Sequence, residues 1–420
     1  MWLISVYLNV GDIMKFTELT EKEFSKFVDS QDTKNFFQTV MMKKRMEKEG
    51  IEVNLVGVKK DDKVVAASLI ANTGHSFLGY KSYEAYKGFI LDYKDKELVK
   101  FMTDEVKKYL KNKKALRLVI DPYIVNVSRD MDANVIDGVD NREVRDYLLS
   151  LGYKDNPNGA QVKWTYCLDL GKSEEEIFKD FKSNHKNIIN KCTNKYKLHV
   201  REIGYDELKT FKECTESTCL RRGFPDKTLE YYQDMFECFK DKVKYLICSI
   251  NLDEYLSSLE ENNKVIEEKI SKLSNAPAND KKRENFKQEI ETNNKNIEYV
   301  HELQKDHDNE IVLACAMFIT YGDEVVYLFS GSYEEYIKFN GQYLIQWEII
   351  KYAIQNNYKR YNFYGIQDVF NPKGKDRGVY EFKKGFGGYV EELLGSFELS
   401  ISPLNGLYKL LKKIKGIIKK

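Results

Sequence analysis

The densest group of residues that could do chemistry lies between Arg360 and Tyr389, with the sequence RYNFYGIQDVFNPKGKDRGVYEFKKGFGGY. An aromatic strand at 361–365 ends in glycine and leads into a polar loop, and the whole stretch contains six lysines or arginines. Such a strand and loop could form the floor and the lid of a site for an anionic substrate. The same pattern is also compatible with a surface connection between two core elements.

Cysteine and histidine show no metal-binding pattern. The seven cysteines, at positions 167, 192, 214, 219, 238, 248 and 315, form no C-x-x-C pair, and the chain has only five histidines. These spacings predict a reduced, cytosolic protein without a structural zinc site.

Length and charge set the wider limits. A chain of 420 residues is long enough for two or three domains. Its net charge is +1, so any basic surface must be local. Residues 1–13 are apolar but too short to span a bilayer and lack a basic leader, so we exclude them from the fold and take Met14 as the natural start. No other run approaches transmembrane length, which predicts a soluble or peripheral protein.

One order of elements occurs twice along the chain. Three strands, a helix and a closing strand are predicted first at 52–58, 64–71, 86–91, 96–111 and 116–120, and then at 243–250, 311–320, 325–331, 342–355 and 361–365. We therefore predict a mixed α/β fold with two copies of one module, in an order that resembles the acyltransferase fold of the GNAT superfamily. The alternative is a chance similarity between two α/β segments.

An insertion of about 55 residues separates the first two strands of the second copy. Apolar residues follow steps of four and three from Leu252 to Leu273, and the steps resume from Phe286 after a break at 275–280. The pattern predicts an antiparallel coiled-coil helical hairpin with arms about 33 Å long. Its many lysines are typical of a solvated face, but they could also contact an RNA backbone.

The segment 404–420, LNGLYKLLKKIKGIIKK, carries one apolar stripe surrounded by six lysines. A basic amphipathic helix of this kind can pack on the domain or lie on an anionic membrane surface. The predicted organisation is therefore a first GNAT-like subdomain at 14–165, a second one at 166–251 and 308–402, a hairpin at 252–307 and a basic helix at 403–420.

Several short stretches in this order resemble the FemABX family of peptidoglycan interpeptide-bridge aminoacyltransferases. They are FQTV at 37–40, IDPY at 120–123, RRGF at 221–224, YLFSG at 327–331, YNFYG at 361–365 and FKKGFGG at 382–388. The resemblance covers residues 14–420. It implies transfer of one amino acid from aminoacyl-tRNA, with glycine as the preferred choice and serine or alanine as the alternatives. The implied acceptor is an amine of a precursor stem peptide or growing bridge, on lipid II or a UDP-linked muropeptide.

The resemblance also implies roles for single residues. Asp121, at the end of a buried strand, would receive the amine proton or orient the ammonium group, and Lys383 would hold the oxyanion or the ester oxygen. Lys384 is its neighbour and could exchange roles with it. Arg221 would bind phosphates or carboxylates of the precursor.

Further binding residues follow from the same stretches. Tyr327 and Phe329 would form an aromatic wall beside Arg221, and Tyr364 and Phe382 would complete the pocket. The family usually has a precursor-binding lysine eight residues after the glutamine that matches Gln38. That position is Met46 here, so Lys44 or Lys48 would have to replace the lysine.

The implied protein works in the cytoplasm at the inner face of the membrane, with aminoacyl-tRNA as co-substrate and no metal or nucleotide cofactor. It could pair with itself or with a second family member. Two alternatives stay open. A relative with altered catalysis could bind precursor or tRNA as a resistance or immunity factor, and a GNAT-type enzyme could use acyl-CoA, although the chain lacks the pyrophosphate loop of such enzymes.

Overall fold

The computed structural model describes residues 14–157, 159–274 and 276–418, so the excluded segment 1–13 lies outside the described residues. The first part of the chain forms β1 (Met14–Glu18), α1 (Glu21–Asp29), α2 (Val40–Lys48), β2 (Val53–Lys60), β3 (Lys63–Phe77), β4 (Tyr80–Ala85), α3 (Lys96–Asn112), β5 (Ala115–Ile120), β6 (Val125–Arg129), β7 (Val135–Asp140), α4 (Arg142–Ser150), β8 (Lys154–Asp155) and β9 (Trp164–Asp169). The middle forms α5 (Glu174–Asp180), α6 (Ser183–Asn194), β10 (Leu198–Glu202), α7 (Leu208–Arg222), α8 (Leu229–Phe239), β11 (Val243–Asn251), α9 (Leu252–Ser271) and α10 (Asp280–Asp306). The last part forms β12 (Glu310–Tyr321), β13 (Glu324–Ser332), α11 (Gly341–Gln355), β14 (Arg360–Gly365), α12 (Arg377–Lys384), β15 (Tyr389–Leu393), β16 (Phe397–Ser400) and α13 (Leu404–Ile418).

Two mixed sheets carry the predicted repeat. The first has the strand order β1-β2-β3-β4-β5-β16-β8, and the second has the order β10-β11-β12-β13-β14-β9-β15-β6-β7. In each sheet a run of antiparallel strands ends in one parallel pair, β4 with β5 and β13 with β14. Helices α3 and α11 make the two crossovers, as a parallel connection requires. The predicted fold class, two tandem GNAT-like α/β modules with an inserted helical hairpin, is confirmed.

Local sequence explains the crossover helix of the first module. Asp95 caps α3 by accepting a hydrogen bond from the Leu98 amide, and Leu98, Met102, Val106 and Leu110 are buried on one face. The apolar run of β5 is buried because α3 covers the sheet there, which is typical of parallel strands.

The strand predicted at 86–91 lies six residues too late. The strand that pairs with β5 is β4, at Tyr80–Ala85, and the following segment makes only one isolated bridge, between Ala67 and Ile90. The Gln38 side chain takes the place of strand pairing between this segment and β3. Its amide donates to the carbonyls of Leu69 and Tyr86, and its oxygen accepts from the Leu69 amide.

The two sheets exchange strands across the boundary predicted at 165/166. Strands β6 and β7 come from the first part of the chain but extend the second sheet through β15. Strand β16 comes from the end of the second part but pairs with β5 in the first sheet. A shared core reinforces this exchange, since Phe36 after α1 packs against Phe239 of α8 with ring centres 6.4 Å apart. The modules are therefore interlocked.

The predicted hairpin is formed by α9 and α10. Its base belongs to the core, where Leu252, Tyr255, Leu259 and Val300 are buried. Farther out, Asn293 donates to Asn263 across the helix pair at 2.9 Å. The arms have 20 and 27 residues, which corresponds to about 30 and 40 Å of helix. None of the described helices is both long and apolar enough to cross a membrane.

Candidate active site

Asp121 lies directly after β5, at the edge where the two modules meet. Its carboxylate is buried, and Ser396 donates a hydrogen bond to Oδ1. Ser396 reaches this position because the adjacent β16 pairs with β5, with Phe397 opposite Ile120. The other oxygen, Oδ2, is buried without a hydrogen-bond partner. Burial raises the pKa of Asp121 to about 6, although the Ser396 hydrogen bond and the charge of Lys87 both act to lower it.

Lys87 is a buried cation near Asp121 that the sequence analysis missed. Its amine donates to the Val162 carbonyl at 3.2 Å and lies 5.7 Å from the centre of the Tyr123 ring. Burial lowers the pKa of Lys87 to about 8, while the carboxylates of Asp121, Glu391 and Glu324 act to raise it. The sequence analysis treated Lys87 only as part of a predicted strand at 86–91, and no motif at this position indicated a functional side chain.

Lys383 is the second buried amine of the site. Helix α12 carries it inward, where Nζ donates to the Gly365 carbonyl at 2.6 Å and lies 5.7 Å from the centre of the Tyr327 ring. Burial lowers the pKa of Lys383 to about 7. The stretch predicted as a polar loop is thus partly helical, and the helix turns this lysine away from solvent.

Lys384 faces a different group from its neighbour. It forms an ion pair with Asp132 and lies 5.9 Å from the centre of the Tyr380 ring. Successive residues of a helix point about 100° apart, so only one of the two lysines can face Gly365. Phe382 packs between Tyr343 and Phe386, with ring centres 4.9 and 5.3 Å away, so it supports the helix from behind.

The two residues that accept hydrogen bonds from the buried amines, Val162 and Gly365, lie in close contact. A side chain at Gly365 would come within 2.8 Å of Val162, so glycine lets the end of β14 approach this residue. Lys87 donates to the carbonyl of Val162, and Lys383 donates to the carbonyl of Gly365. Both buried lysines are therefore attached to one contact between two chain segments.

The aromatic residues predicted as one wall lie on opposite faces of the second sheet. In the pairing of β12 with β13, Phe318 lies opposite Tyr327 and Met317 lies opposite Phe329, so Leu328 is an extra residue. Tyr327 consequently stacks on Phe318 at 5.5 Å, whereas Phe329 packs against Tyr231 at 5.8 Å. The bulge is the physical reason that the common wall is not formed.

Tyr364 links the two ends of the site. Its hydroxyl donates to Gln161 at 3.2 Å, and its backbone has a positive φ of 63°, which the hydrogen bond from its amide to the Asn362 side chain supports. Burial raises the pKa of Tyr364 far above its usual value, and the ionisable groups of Tyr231 and Asp121 raise it further.

Two cavities open on either side of the end of β14. One, of about 560 Å³, is lined by Arg222, Gly223, Phe224, Gly365, Gln367, Lys375, Asp376 and Val379. The other, of about 690 Å³, includes Gln161, Val162, Gln367 and Ser396 in its lining. They share Gln367, which lies two residues after the last residue of β14, Gly365.

Arg222 lines the first cavity, while the predicted Arg221 does not. Arg221 is exposed at the end of α7 and donates to the Ser332 carbonyl at 3.3 Å. The positive charge of Arg222 acts on the Tyr327 hydroxyl, which places this arginine near the aromatic ring beside Lys383.

Neither Lys44 nor Lys48 reaches the site. Met46 is buried in the core, and residues 44 and 48, four apart, lie together on the outer side of α2. Lys48 pairs with Asp234 at 3.0 Å, and Lys44 is exposed 4.0 Å from Glu21.

Arg45 is the cation of α2 that points inward. It is buried, bonded to Glu49 at 2.6 Å, and its guanidinium lies 4.9 Å from the centre of the Tyr231 ring. Within the described residues, no three His, Cys, Asp or Glu side chains are grouped so that they could hold a metal ion.

Comparison with known proteins identifies the class. The model of the FemAB family matches residues 19–415, so the chain belongs to this family. It is similar to the aminoacyltransferase FemA of Staphylococcus aureus, strains bovine RF122 / ET3-1 and N315, at 32% identity in an alignment that covers 96% of this chain and all of each relative. The protein is an aminoacyltransferase of this family, as the sequence predicted.

The fold has a solved counterpart. The crystal structure of FemX superposes with a TM-score of 0.74 at 21% identity and covers 94% of this chain and 99% of that one. This likeness agrees with the two interlocked modules described above.

Proposed function

We propose that this aminoacyltransferase moves an amino acid, glycine or alternatively serine or alanine, from aminoacyl-tRNA to an amine of a peptidoglycan precursor. The acceptor is the stem peptide or the growing bridge, carried on lipid II or a UDP-linked muropeptide, and the product is part of the interpeptide bridge. No metal or nucleotide cofactor takes part in this proposal.

One observation carries the proposal: two buried ionisable groups are each bonded to a residue that lines one of the two cavities. Asp121 accepts from Ser396, which lines the second cavity, and Lys383 donates to the carbonyl of Gly365, which lines the first. Their pKa values, about 6 and about 7, make both groups able to exchange protons near neutral pH. Ester-to-amide exchange needs one group that accepts a proton from the attacking amine and one that stabilises negative charge on oxygen. The site contains one of each.

Asp121 and Lys383 together account for every proton that moves in the transfer. The acceptor nitrogen attacks the ester carbonyl, a C–N bond forms, and the carbonyl oxygen becomes an oxyanion beside the protonated Lys383. The amine proton passes to Asp121. When the C–O bond to the ribose breaks, the Lys383 ammonium supplies the proton that the leaving hydroxyl requires, and proton exchange with solvent restores both groups.

The linings of the cavities suggest how the substrates divide between them. Arg222, Lys375 and the exposed ring of Phe224 suit the phosphates and a base of the acylated tRNA end, because cations bind phosphate and aromatic rings stack on bases. The cavity beside Ser396 and Gln161 then takes the acceptor peptide and directs its amine toward Asp121. The exposed hairpin, with Lys264, Lys269 and Lys281 on its outer half, is suited to contact the tRNA body.

Reconstitution tests the proposal. Purified protein is mixed with tRNA charged with labelled glycine, serine or alanine and with either lipid II or UDP-linked muropeptide, and labelled amide product is counted. We expect transfer with at least one pair of substrates, and loss of transfer in Asp121→Asn. Binding of precursor or charged tRNA without transfer from any of the three donors would instead support a relative that only binds, and transfer from an acyl-CoA would support the GNAT-type alternative.

A further inference from the structure

Helix α13 attaches to the first sheet by its polar and aromatic side. Asn405 is buried and donates to Glu398 at 2.7 Å and to the Ser400 hydroxyl at 3.1 Å. One turn on, the Tyr408 ring packs on Phe77 with ring centres 5.6 Å apart. The contact that holds the helix is therefore made without its leucine stripe.

Four residues of the stripe are only partly covered by the domain. Leu407, Leu410, Leu411 and Ile414 are 44%, 56%, 39% and 43% exposed. Their spacing of three and four places them on one helical face, whose centre lies roughly a third of a turn from Tyr408 and roughly half a turn from Asn405. The sequence left open whether this stripe packs on the domain, and these four side chains keep enough exposed surface for a further contact.

A second exposed leucine lies next to this helix. Leu78 forms the tip of the hairpin between β3 and β4 and is 69% exposed. It directly follows Phe77, whose ring contacts α13. Two separate elements therefore present apolar side chains to solvent at the same end of the first module.

Charge indicates what covers this surface. Residues 409–420 contain six lysines and no acid, and Lys409 is held 2.7 Å from Glu398 beside the sheet. A second copy of the same helix would bring like charges together, whereas an anionic bilayer offers both an apolar interior and negative headgroups. At 15 residues the helix is too short to span a bilayer, so it fits a position in the plane of the interface.

We propose that α13 and the Leu78 hairpin tip dock on the surface of an anionic lipid membrane, with the leucine stripe among the acyl chains. Only the benefit of docking rests on the proposed function, since docking there would hold the active site near a lipid-linked acceptor. The binding itself needs neither tRNA nor precursor.

Vesicle co-sedimentation of the full chain tests the docking directly. We expect binding to vesicles of equal parts phosphatidylglycerol and phosphatidylcholine, weak binding to phosphatidylcholine alone, and release as NaCl rises from 0.05 to 0.5 M. The double variant Leu410→Glu, Ile414→Glu should bind the anionic vesicles roughly tenfold or more weakly, because it places charge on the buried face. Leu78→Glu should weaken binding to a smaller extent.

A matched control has the same change of charge elsewhere. Val265→Glu with Ile337→Glu replaces two side chains of similar exposure, 47% and 54%, on other elements and should leave vesicle binding unchanged. Equal losses in both double variants, or equal binding to neutral and anionic vesicles, would overturn the proposal. So would a dimer, measured by light scattering without vesicles, that the Leu410→Glu, Ile414→Glu variant dissociates. Transfer to the soluble UDP-linked acceptor checks the proposed function separately, without a membrane.

Discussion

We expect the substitution Lys383→Met to abolish aminoacyl transfer and, at the same time, to stabilise the fold. Methionine keeps the length of the side chain but cannot hold an oxyanion or supply a proton. Loss of such a group lowers the transfer rate by roughly a hundredfold or more. Stability should increase, because burial of the Lys383 amine opposes folding at every pH at which this lysine is protonated in the unfolded chain.

The magnitude follows from the pKa of Lys383. Burial lowers it from 10.5 to about 7, and 3.5 pKa units correspond to roughly 5 kcal/mol at low pH. Loss of the hydrogen bond to the Gly365 carbonyl offsets about 1 kcal/mol of this gain. Lys383→Met should therefore raise the free energy of unfolding by roughly 3–4 kcal/mol at pH 7.

The gain should depend on pH in a defined direction. Because the pKa of Lys383 is lower in the folded protein, the unfolded chain binds more protons between pH 7 and 10.5, and this lysine makes wild-type stability rise with pH across that window. Methionine does not titrate, so the advantage of the variant should shrink by about 2 kcal/mol between pH 7 and pH 9. Urea unfolding followed by the fluorescence of Trp164 and Trp347, both in the second module, measures the difference.

Lys384→Met is the matched control, since Lys384 is the neighbouring lysine and pairs with the half-exposed Asp132. It should show neither the large stabilisation nor the dependence on pH, and it should keep most of the transfer activity. A Lys383→Met protein that transfers amino acids at the wild-type rate would refute the catalytic role. A difference in stability that is independent of pH would refute the buried, easily deprotonated amine.

Four further changes test other parts of the structure. Lys87→Met removes a charge that acts to lower the pKa of Asp121, so the acidic limb of the pH profile of kcat/KM should move to higher pH. Lys87→Arg keeps the charge and should leave the limb in place. An acidic limb at the wild-type pH in both variants contradicts this role. Replacing residues 264–292 by a short glycine-rich turn leaves the buried base of the hairpin intact, so the melting temperature should hold while KM for charged tRNA rises; an unchanged KM argues against an RNA contact. Gly331→Ala would place a Cβ 2.3 Å from the Cys214 carbonyl and should lower stability by about 1–3 kcal/mol, whereas Gly204→Ala, which meets nothing within 4 Å, should have little effect in the same urea titration. Arg45→Ala should raise KM for the precursor more than Lys44→Ala does, because only Arg45 faces inward; equal effects would place the precursor elsewhere.

Sequence periodicity predicted those elements that depend on local pattern. The alternation of strands and the helical spacing of α3 and α11 are local, so the repeat could be recognised before its topology was known. The hairpin seam is also local. The exchange of β6, β7 and β16 between the sheets depends instead on pairing between residues more than 200 positions apart, for example Phe397 with Ile120, and no pattern within either strand specifies such a partner.

The residues of the candidate site show the same distinction between what local sequence indicates and what long-range packing decides. Asp121 and Lys383 were singled out by short stretches that resemble the family, and the structure buries both, each bonded to a residue that lines one of the two cavities. The separation of Tyr327 from Phe329 could not be predicted, because a bulge at Leu328 reverses the alternation on which the prediction of a common wall relied. Lys44 and Lys48 were chosen by their distance along the chain from Gln38, but the inward side of α2 is fixed by the packing of Met42 and Met46 in the core, which leaves Arg45 beside Tyr231.

The exchange of strands explains how three ionisable groups can stay buried where the modules meet. Asp121 belongs to the first sheet, yet the Ser396 hydroxyl that bonds it arrives only when the end of the chain returns as β16. Lys87 comes from the first module but donates to Val162, on the segment that leads into β9 of the second sheet. Lys383 donates to the end of β14, which Val162 contacts. Each of these groups is thus buried beside a partner that arrives through another part of the fold, so the candidate site belongs to the junction of the modules and to neither module alone.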